Sequence, residues 1–230
     1  GRIAADLSAR RRAAAERLAR ATEAAIAELN MGRSRFEVRI EQVADERGVP
    51  VAQPGEPARR VAFDATGVDR VEFLIAPNAG EALKPLARVA SGGETARLML
   101  ALKSILSAAD ATPTLVFDEV DVGVGGRSGQ VVGEKLWALA SEHQVVVISH
   151  LPQIAAFAET HFRIGTAERG ERVISEVEQI EGAARIDELA AMLDGYPVTS
   201  AARDNARAML ERAEHWKAAR DGAETATRPA

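Results

Sequence analysis

The sequence predicts an α/β fold in which a parallel sheet is flanked by helices. Two apolar runs of strand length, 114–118 and 145–149, are separated by a stretch of helical periodicity at about 128–142. A further helical stretch at about 94–109 precedes the first run. Strands that alternate with helices in this way are typical of parallel sheets, which bind ligands beyond the carboxyl ends of their strands.

Composition narrows the class of protein. The 230 residues are 47% hydrophobic and 27% charged, as expected for a globular protein of one or two domains. The formal charge of −5 gives no global basic signature of nucleic-acid binding, so any DNA contact has to come from a local patch. The absence of cysteine excludes disulfides, thiolate metal sites and a cysteine nucleophile. No apolar run is long enough for a membrane span, and we expect a cytoplasmic protein without membrane partners.

The first 31 residues read as one helix rich in alanine and arginine, without glycine or proline until Gly32. Its apolar residues recur in pairs every eleven positions, a spacing that suits a nearly straight coiled coil. A solvated amphipathic helix is the alternative interpretation. The seam consists of Ile3, Leu7, Ala14, Leu18, Ala25 and Leu29.

The remaining elements follow from changes of period and from turn residues. Alternation from Phe36 to Ile40 predicts a strand, and the glycines and prolines within 43–60 predict a loop or a hairpin insertion. The tail from Ala218 is polar, lacks an apolar face and is expected to be disordered. The other predicted elements are strands at Val61–Phe63 and Val71–Ile75, a hairpin from Ile164 to Val177 turning at Gly170, and helices at about 183–193 and 199–217.

The first candidate site is Ser91-Gly92-Gly93-Glu94, directly before a helical run. Serine followed three residues later by glutamate is a capping box, and a capped helix start is the simplest interpretation. Gly92 and Gly93 argue for more, because each costs up to about 1 kcal/mol relative to alanine inside a helix. Bare backbone amides at a helix N-terminus bind anions, so the segment is a candidate phosphate site.

The second candidate site follows the strand at 114–118. Asp118, Glu119 and Asp121 fall within four residues, and no basic side chain follows before Arg127. Such crowding disfavours ionisation of all three carboxylates unless a cation is present, and Mg²⁺ bound to nucleotide phosphates would supply it. A solvated acidic loop is the alternative, but such a loop does not require a buried strand before it.

The third candidate site follows the strand at 145–149, which ends in Ser149 and His150. A lone histidine is more often structural than catalytic. His150, however, stands at the carboxyl end of a predicted parallel strand, at the same edge as Asp118. A contact between His150 and a phosphate is therefore credible.

The order and spacing of the three sites resemble the signature, Walker B, D-loop and switch histidine of ABC-type ATPases. The segment 118–127, Asp-Glu-Val-Asp-Val-Gly-Val-Gly-Gly-Arg, resembles the RecN family of SMC-like DNA repair ATPases in particular. Flanking segments at 71–78, 83–94, 149–155 and 188–193 agree with that family. Thr95-Ala96 departs from the Leu-Ser that is more frequent there, beyond the residues that would face phosphate.

The resemblance implies a role for each site residue. Asp118 would help hold Mg²⁺ through water, Glu119 would orient or deprotonate the attacking water, and His150 would contact the γ-phosphate of ATP. Asp121 would act in the D-loop across a dimer. The segment 91–94 would bind the γ-phosphate held by the opposite subunit, through Ser91, Gly92, Gly93 and the capping residue Glu94.

The resemblance also implies an architecture and partners. Residues 1–31 would be the returning coiled-coil helix, 32–217 the C-terminal lobe of an ATPase head, and 218–230 a disordered tail. No Gly-x-x-x-x-Gly-Lys-Ser/Thr segment occurs in the sequence. We therefore expect the P-loop on an N-terminal, Walker A-containing lobe of the same protein, a homodimer of heads around ATP, DNA contact through the complete protein, and no hydrolysis by this chain alone.

Two other classes of function stay open at this point. Another SMC-like head, of the Rad50, SbcC or RecF type, would share the three motifs, although the segments 121–126 and 151–153 favour RecN. A non-catalytic DNA-binding or assembly module would use the arginines at 10–20 instead, and nearby glutamates dilute that patch. A transporter ATPase subunit is disfavoured by the helical N-terminus and by the loop after Glu119. For the RecN interpretation we expect a bacterial, cytoplasmic and nucleoid-associated protein that acts in double-strand break repair and recombination.

Overall fold

The computed structural model describes residues 1–52, 57–89, 92–169 and 172–227. The chain divides into two compact units, Gly1–Ser107 and Ala108–Ala230. This division does not coincide with the boundaries expected after residues 31 and 217, and the assignment of 1–31 to a coiled coil and of 32–217 to a head lobe stays a prediction. Over the described ranges, no helix combines the length and apolar character that a membrane span requires.

The first unit consists of two helices and two small antiparallel sheets. Strands β1, β4 and β5 form one sheet, in which Arg35 pairs with Ala76, and β2 and β3 form the other. The segment 43–60 is therefore a hairpin, and its residues 53–56 lie outside the described ranges. The elements are α1 (Arg2–Ile26), β1 (Arg35–Glu41), β2 (Ala44–Val51), β3 (Arg59–Val61), β4 (Arg70–Ala76), β5 (Lys84–Pro85) and α2 (Gly92–Leu106).

Helix α1 ends earlier than the sequence predicts. A π-helical turn, Ala27–Met31, follows Ile26, and within that turn Asn30 adopts a φ of 63°. Asparagine tolerates the left-handed conformation better than most residues and commonly ends helices. The pattern of apolar residues does not register this local stop.

Helix α1 packs on its own unit through small and polar side chains. Ser8, Thr22 and Ile26 are buried, whereas Ile3 of the predicted seam is 83% exposed. The buried carboxylate of Asp69 accepts hydrogen bonds from Ser8 Oγ at 2.6 Å and from Gln42 Nε2 at 2.9 Å. Burial alone would raise the pKa of Asp69, but these bonds and the Arg11 guanidinium lower it overall.

The second unit contains a parallel strand pair, an antiparallel hairpin and four helices among its described residues. Except for the end of the last helix, the sequence predicts each of its longer elements to within a few residues. The elements are β6 (Thr114–Phe117), α3 (Gly126–Leu139), β7 (Gln144–Val147), α4 (Pro152–Ala155), β8 (His161–Arg169), β9 (Arg172–Ile180), α5 (Gly182–Asp194) and α6 (Ser200–Thr227).

Strands β6 and β7 are parallel and in register from Thr114–Gln144 to Phe117–Val147. Helix α3 lies between them in the chain, because parallel strands need a crossover connection. The predicted α/β class, with a parallel pair flanked by helices and preceded by a long helix, is confirmed.

Strands β8 and β9 form the predicted hairpin, whose expected turn residue Gly170 lies outside the described ranges. Helix α6 differs from expectation, because it continues to Thr227 rather than ending near residue 217. The segment from Ala218 that we expected to be disordered is thus helical as far as Thr227. Alanines favour helix in this segment even without an apolar face, and the Arg220 guanidinium lies 5.6 Å from the ring centroid of Trp216.

A buried lysine and a half-buried arginine contact segments on either side of the β8–β9 hairpin in the chain. Lys217, only 5% exposed, lies 2.9 Å from Glu159 Oε1, which also accepts a hydrogen bond from Trp137 Nε1. Hydrogen bonds from Lys217 and Trp137 lower the pKa of Glu159. The Arg185 guanidinium donates to the carbonyls of residues 155, 156 and 158 and so closes the C-terminal end of α4.

Candidate functional site at the carboxyl edge of the parallel strands

The parallel pairing of β6 and β7 brings the second and third candidate sites to one edge. Ile148 N donates to Phe117 O at 2.9 Å, which extends the pairing one step past Val147. Asp118 follows β6 directly, and Ser149 and His150 follow β7 at the same edge. The sequence-based expectation that these residues share an edge is therefore met by the backbone.

Asp118 and Glu119 form an exposed turn at the end of β6. Glu119 N donates to Asp118 Oδ1 at 2.9 Å, and Glu119 O accepts from Val122 N at 3.1 Å. Glu119 has a φ of 58°, in the left-handed region that glutamate rarely adopts. Such conformations cost about 1–3 kcal/mol and concentrate at functional sites.

Asp121 separates from the other two carboxylates. Its side chain is 3% exposed, whereas Asp118 and Glu119 face solvent. Among the described residues, no group of three or more acidic or histidine side chains is arranged to hold a metal ion. The sequence-based picture of one crowded acidic cluster is therefore wrong, because the left-handed turn at Glu119 carries Val120 and Asp121 into the protein interior.

The carboxylate of Asp121 is bonded to the segment that follows β7. Its Oδ2 accepts hydrogen bonds from Ser149 Oγ at 2.6 Å and from His150 N at 2.8 Å. His150 Nδ1 lies 3.0 Å from the same oxygen. Ser149 Oγ in turn accepts from Leu151 N at 3.0 Å. Asp121 thus contacts residues of its own chain, and its expected role across a dimer stays a prediction.

The loop after Asp121 is held in place by its own packing. Val120 and Val124 are 0% and 9% exposed, and Val124 N donates to Asp121 O at 3.0 Å. Gly123 has a φ of 75°, which a side chain would oppose. The loop is therefore ordered before α3 begins at Gly126.

Close packing of α3 and α4 sets the position of the segment that carries His150. A methyl group on Gly133 would lie 2.6 Å from Phe157 Cδ2 and 3.1 Å from Gln153 O. Gly129 approaches the side chain of Gln153 in the same way, with a Cβ distance of 3.2 Å. These glycines let α4, which starts at Pro152 just after His150, lie directly on α3.

The first candidate site belongs to the other compact unit. Gly92 is exposed at the start of α2, Gly93 is buried and Glu94 is half-buried. Ser91 lies outside the described ranges. The phosphate-binding role of these residues stays a prediction.

Sequence reasoning missed the connecting residues of the site rather than its acids. Ser149 was seen only as part of a polar pair, and Gly129 and Gly133 only as members of a helix. The sequence signal for the glycines was present, because glycine at two consecutive turns of a helix is costly unless something packs closely there.

The sequence also has known relatives. No protein-family model matches the chain. The DNA repair protein RecN of Streptomyces coelicolor is 41% identical over 213 residues, which cover 93% of this chain and 36% of that protein. RecN of Halalkalibacterium halodurans is 40% identical over 189 residues, covering 82% of this chain and 31% of that protein. Over most of its length, this chain is therefore similar to RecN proteins.

RecN of Bacillus subtilis, at 36% identity over 216 residues, agrees with that assignment. The chain spans about a third of the length of these RecN relatives, from 31% to 37%. The resemblance to RecN inferred from the segment 118–127 and its flanking segments is thus confirmed over most of this chain.

Solved structures of similar shape include SMC heads. The Smc head domain of Pyrococcus yayanosii, with a coiled coil and joint, gives a TM-score of 0.48 at 20% identity and covers 76% of this chain and 28% of that chain. A chain from work on ATP-driven dimerization and DNA-stimulated activation of SMC ATPases gives a TM-score of 0.42 at 18% identity. That match covers 79% of this chain and 94% of the SMC ATPase chain.

Proposed function

We propose that this chain is the C-terminal ATPase lobe of a RecN-type, SMC-like protein that acts in DNA double-strand break repair and recombination. In the complete protein, ATP binding and hydrolysis would drive association of two heads and engagement of DNA. The observation that carries the proposal is that Asp118, Glu119 and His150 lie at one edge of a parallel strand pair in a chain similar to RecN.

The exposed acids suit the chemistry of a nucleotide bound with Mg²⁺. Carboxylate oxygens are preferred ligands of Mg²⁺, which usually keeps several waters, so Asp118 would hold the ion through water. When bound, Mg²⁺ neutralises charge that develops on the transferred phosphoryl group. Glu119 would accept a proton from the attacking water or orient it, and His150 would contact the γ-phosphate.

The left-handed backbone at Glu119 supports its role. A strained conformation persists only where surrounding structure imposes it, and here the turn bonds of Glu119 and the burial of Val120 impose it. The strain fixes the direction in which the glutamate leaves the strand. A carboxylate that activates water needs such fixed placement, because catalysis of phosphoryl transfer is mainly positioning.

The segment 91–94 would serve the nucleotide of a second subunit. Gly92 and Gly93 open α2, so their bare amides would face the γ-phosphate held by the opposite head, together with Ser91. Glu94 would cap the helix. A site completed by a second copy explains why ATP binding would bring two heads together.

The phosphate-cradling lobe would be supplied by another part of the complete protein. The sequence contains no P-loop motif. On the parallel pair and directly after it, Val116, Val146 and Ile148 are 65%, 45% and 50% exposed, although both runs are apolar. Apolar surface on such strands is normally covered, so we propose that the N-terminal, Walker A-containing lobe covers it.

The relatives carry the name of DNA repair proteins. We accordingly propose action on DNA in the bacterial cytoplasm, at the nucleoid, through the complete protein. The short basic stretch of α1 is diluted by acids, so the main DNA contacts would lie in other parts of that protein.

Two measurements test the proposal. Calorimetry on the isolated chain should detect no tight Mg-ATP binding, since the P-loop is missing from it; micromolar binding would overturn the split-lobe proposal. In the complete protein, Glu119→Gln should allow ATP-dependent head association while stopping turnover. Turnover at the wild-type rate would remove Glu119 from the reaction.

A further inference from the structure

The contact between Asp121 and His150 joins the ends of two strands through one oxygen atom. Asp121 Oδ2 accepts hydrogen bonds from Ser149 Oγ at 2.6 Å and from His150 N at 2.8 Å, and His150 Nδ1 lies 3.0 Å from the same oxygen. We infer that Asp121 is a positioning residue acting within its own chain, which orients the His150 imidazole and fixes which ring nitrogen meets the phosphate. This inference rests on the proposed function for its chemical consequence but not for its geometry.

The contact selects a proton arrangement on the imidazole. A carboxylate oxygen can only accept hydrogen bonds, so the 3.0 Å approach of Nδ1 to Asp121 Oδ2 favours the tautomer with the proton on Nδ1. Nε2 then becomes the nitrogen available to a ligand, on the outward side of a ring whose side chain is 74% exposed. A carboxylate that contacts one ring nitrogen of a histidine in this way sets the orientation and the tautomer of the imidazole ring.

Burial of Asp121 makes the arrangement rigid. The carboxylate is 3% exposed, whereas its histidine partner is largely exposed. A buried carboxylate requires hydrogen bonds, and here it obtains them from the backbone and side chains of the segment that presents His150. The carboxylate that positions the ring is therefore buried, and the imidazole that would meet the phosphate is exposed.

Ser149 also helps to hold the segment that carries His150. It donates to Asp121 and accepts from Leu151 N, so it ties both sides of His150 to the same carboxylate. Loss of the hydroxyl should loosen the segment while leaving the direct contact from His150 to Asp121 in place. We therefore expect Ser149→Ala to have a smaller effect than Asp121→Ala on every readout.

These bonds oppose a simultaneous contact of Asp121 with another subunit, because its side chain is only 3% exposed. The structure assigns Asp121 to the site of its own chain, in place of the trans role that the motif resemblance implies. The two assignments make opposite predictions for mixed dimers, so they can be separated.

The geometric part is tested by imidazole NMR on the ¹⁵N-labelled chain, which has four histidines. The spectra are recorded at a pH of about 8, where a free imidazole, with its pKa of about 6.5, is neutral. The His150 signal, assigned by its loss in His150→Gln, should report a proton on Nδ1. In Asp121→Ala it should revert to the Nε2-protonated form that free histidine favours. An unchanged His150 signal in Asp121→Ala would overturn the inference, whether or not the complete protein is an ATPase.

The chemical part is tested in the complete protein. Asp121→Ala should lower kcat about 10- to 100-fold, as loss of a residue that orients a site ligand typically does. KM for ATP should change little. Adding Asp121→Ala to His150→Ala should cause little further loss, because the two act as a unit. Asp121→Asn keeps the shape and an acceptor oxygen and should recover part of the rate, whereas Glu142→Ala, at an exposed acid just before β7, should match wild type.

Mixed dimers decide between action in cis and in trans. With Asp121→Ala and His150→Ala on the same subunit, action in cis leaves one site intact and about half the activity. With the two substitutions on opposite subunits, action in cis disables both sites. The reverse pattern would overturn the inference. Inactive wild-type heads would instead count against the proposed function, and the imidazole signal alone would then decide the positioning role.

Discussion

Ser8 Oγ of helix α1 lies 2.6 Å from Oδ1 of Asp69, a residue 61 positions away at the approach to β4. The same carboxylate binds Gln42 and Arg11, and its side chain has no exposed surface. The long first helix is therefore fixed to its unit by a buried polar contact as well as by small apolar side chains. Polar contacts of this kind specify one position of a helix more sharply than apolar contacts do.

Removing that carboxylate should release α1. Asp69→Ala leaves the buried Ser8 hydroxyl without its acceptor and removes one of the two acceptors of the half-buried Gln42 amide, so we expect a loss of about 3 kcal/mol in the free energy of unfolding. Asp69→Asn, which keeps the shape and one acceptor oxygen, should lose less. Asp6→Ala, at an exposed acid of the same helix, serves as the control in urea denaturation. Equal stabilities of Asp69→Ala and wild type would contradict this account of the contact.

Stability should depend on pH through His161. Burial lowers the pKa of His161 below its ordinary 6.5, and the positive charge of Arg185 lowers it further. The unfolded chain therefore binds the proton more readily than the folded chain. The contribution of neutral His161 to stability is complete above pH 6.5 and is lost as the pH falls toward the folded pKa.

The measurement is urea denaturation at pH values of about 7.5 and 5.5, on either side of the ordinary histidine pKa. Wild type should lose more stability between these values than His161→Gln, which cannot take up the proton. His215→Gln, at an exposed position of α6, should behave as wild type. Identical losses in wild type and His161→Gln would assign the pH dependence to other groups.

The glycine contact between α3 and α4 should be intolerant of a methyl group. Gly133→Ala places a carbon 2.6 Å from Phe157 Cδ2, and overpacking of this kind costs about 1–3 kcal/mol. The better helix propensity of alanine returns up to about 1 kcal/mol, so a net loss is expected. Gly126→Ala, whose new carbon would meet Gln153 Nε2 at an ordinary 3.5 Å, is the matched control and should be neutral or stabilising in thermal unfolding. A Gly133→Ala chain as stable as Gly126→Ala would show that α4 shifts freely.

The strained backbone at Glu119 should be relieved by asparagine. Asn accepts the left-handed conformation more readily than glutamate, so Glu119→Asn should raise the free energy of unfolding by up to about 1 kcal/mol. The complete protein carrying the same substitution should lose its ATPase turnover. Asp118→Asn, at an ordinary φ, controls for removal of a carboxylate from this edge. A destabilised Glu119→Asn chain would show that the glutamate side chain stabilises the turn.

The strands and helices predicted best from the sequence are those whose neighbouring residues follow a regular pattern of apolar and polar side chains. The apolar runs of β6 and β7 and the polar residues after them place Asp118, Ser149 and His150 at a common edge without any knowledge of packing. The helical periodicity of α3 and α5 gives those helices almost to their ends. Such patterns predict secondary structure because the spacing of buried apolar residues differs between helices and strands.

The parts predicted less well depend on tertiary contacts or on single backbone angles. Proximity in sequence suggested one acidic cluster at 118–121, but a left-handed residue turns Asp121 inward. A similar angle at Asn30 ends the regular part of the first helix. The buried bond from Ser8 to Asp69 joins distant segments, so no local pattern could reveal it.

The central claim is that this chain supplies the water-activating half of a divided ATPase site. The most direct test measures ATP hydrolysis by this chain, by a Walker A-containing N-terminal RecN lobe, and by the two combined with Mg²⁺. The account predicts negligible hydrolysis by either alone, hydrolysis by the mixture, and loss of that hydrolysis with Glu119→Gln. Hydrolysis by this chain alone, or an active mixture that is indifferent to Glu119→Gln, would contradict it.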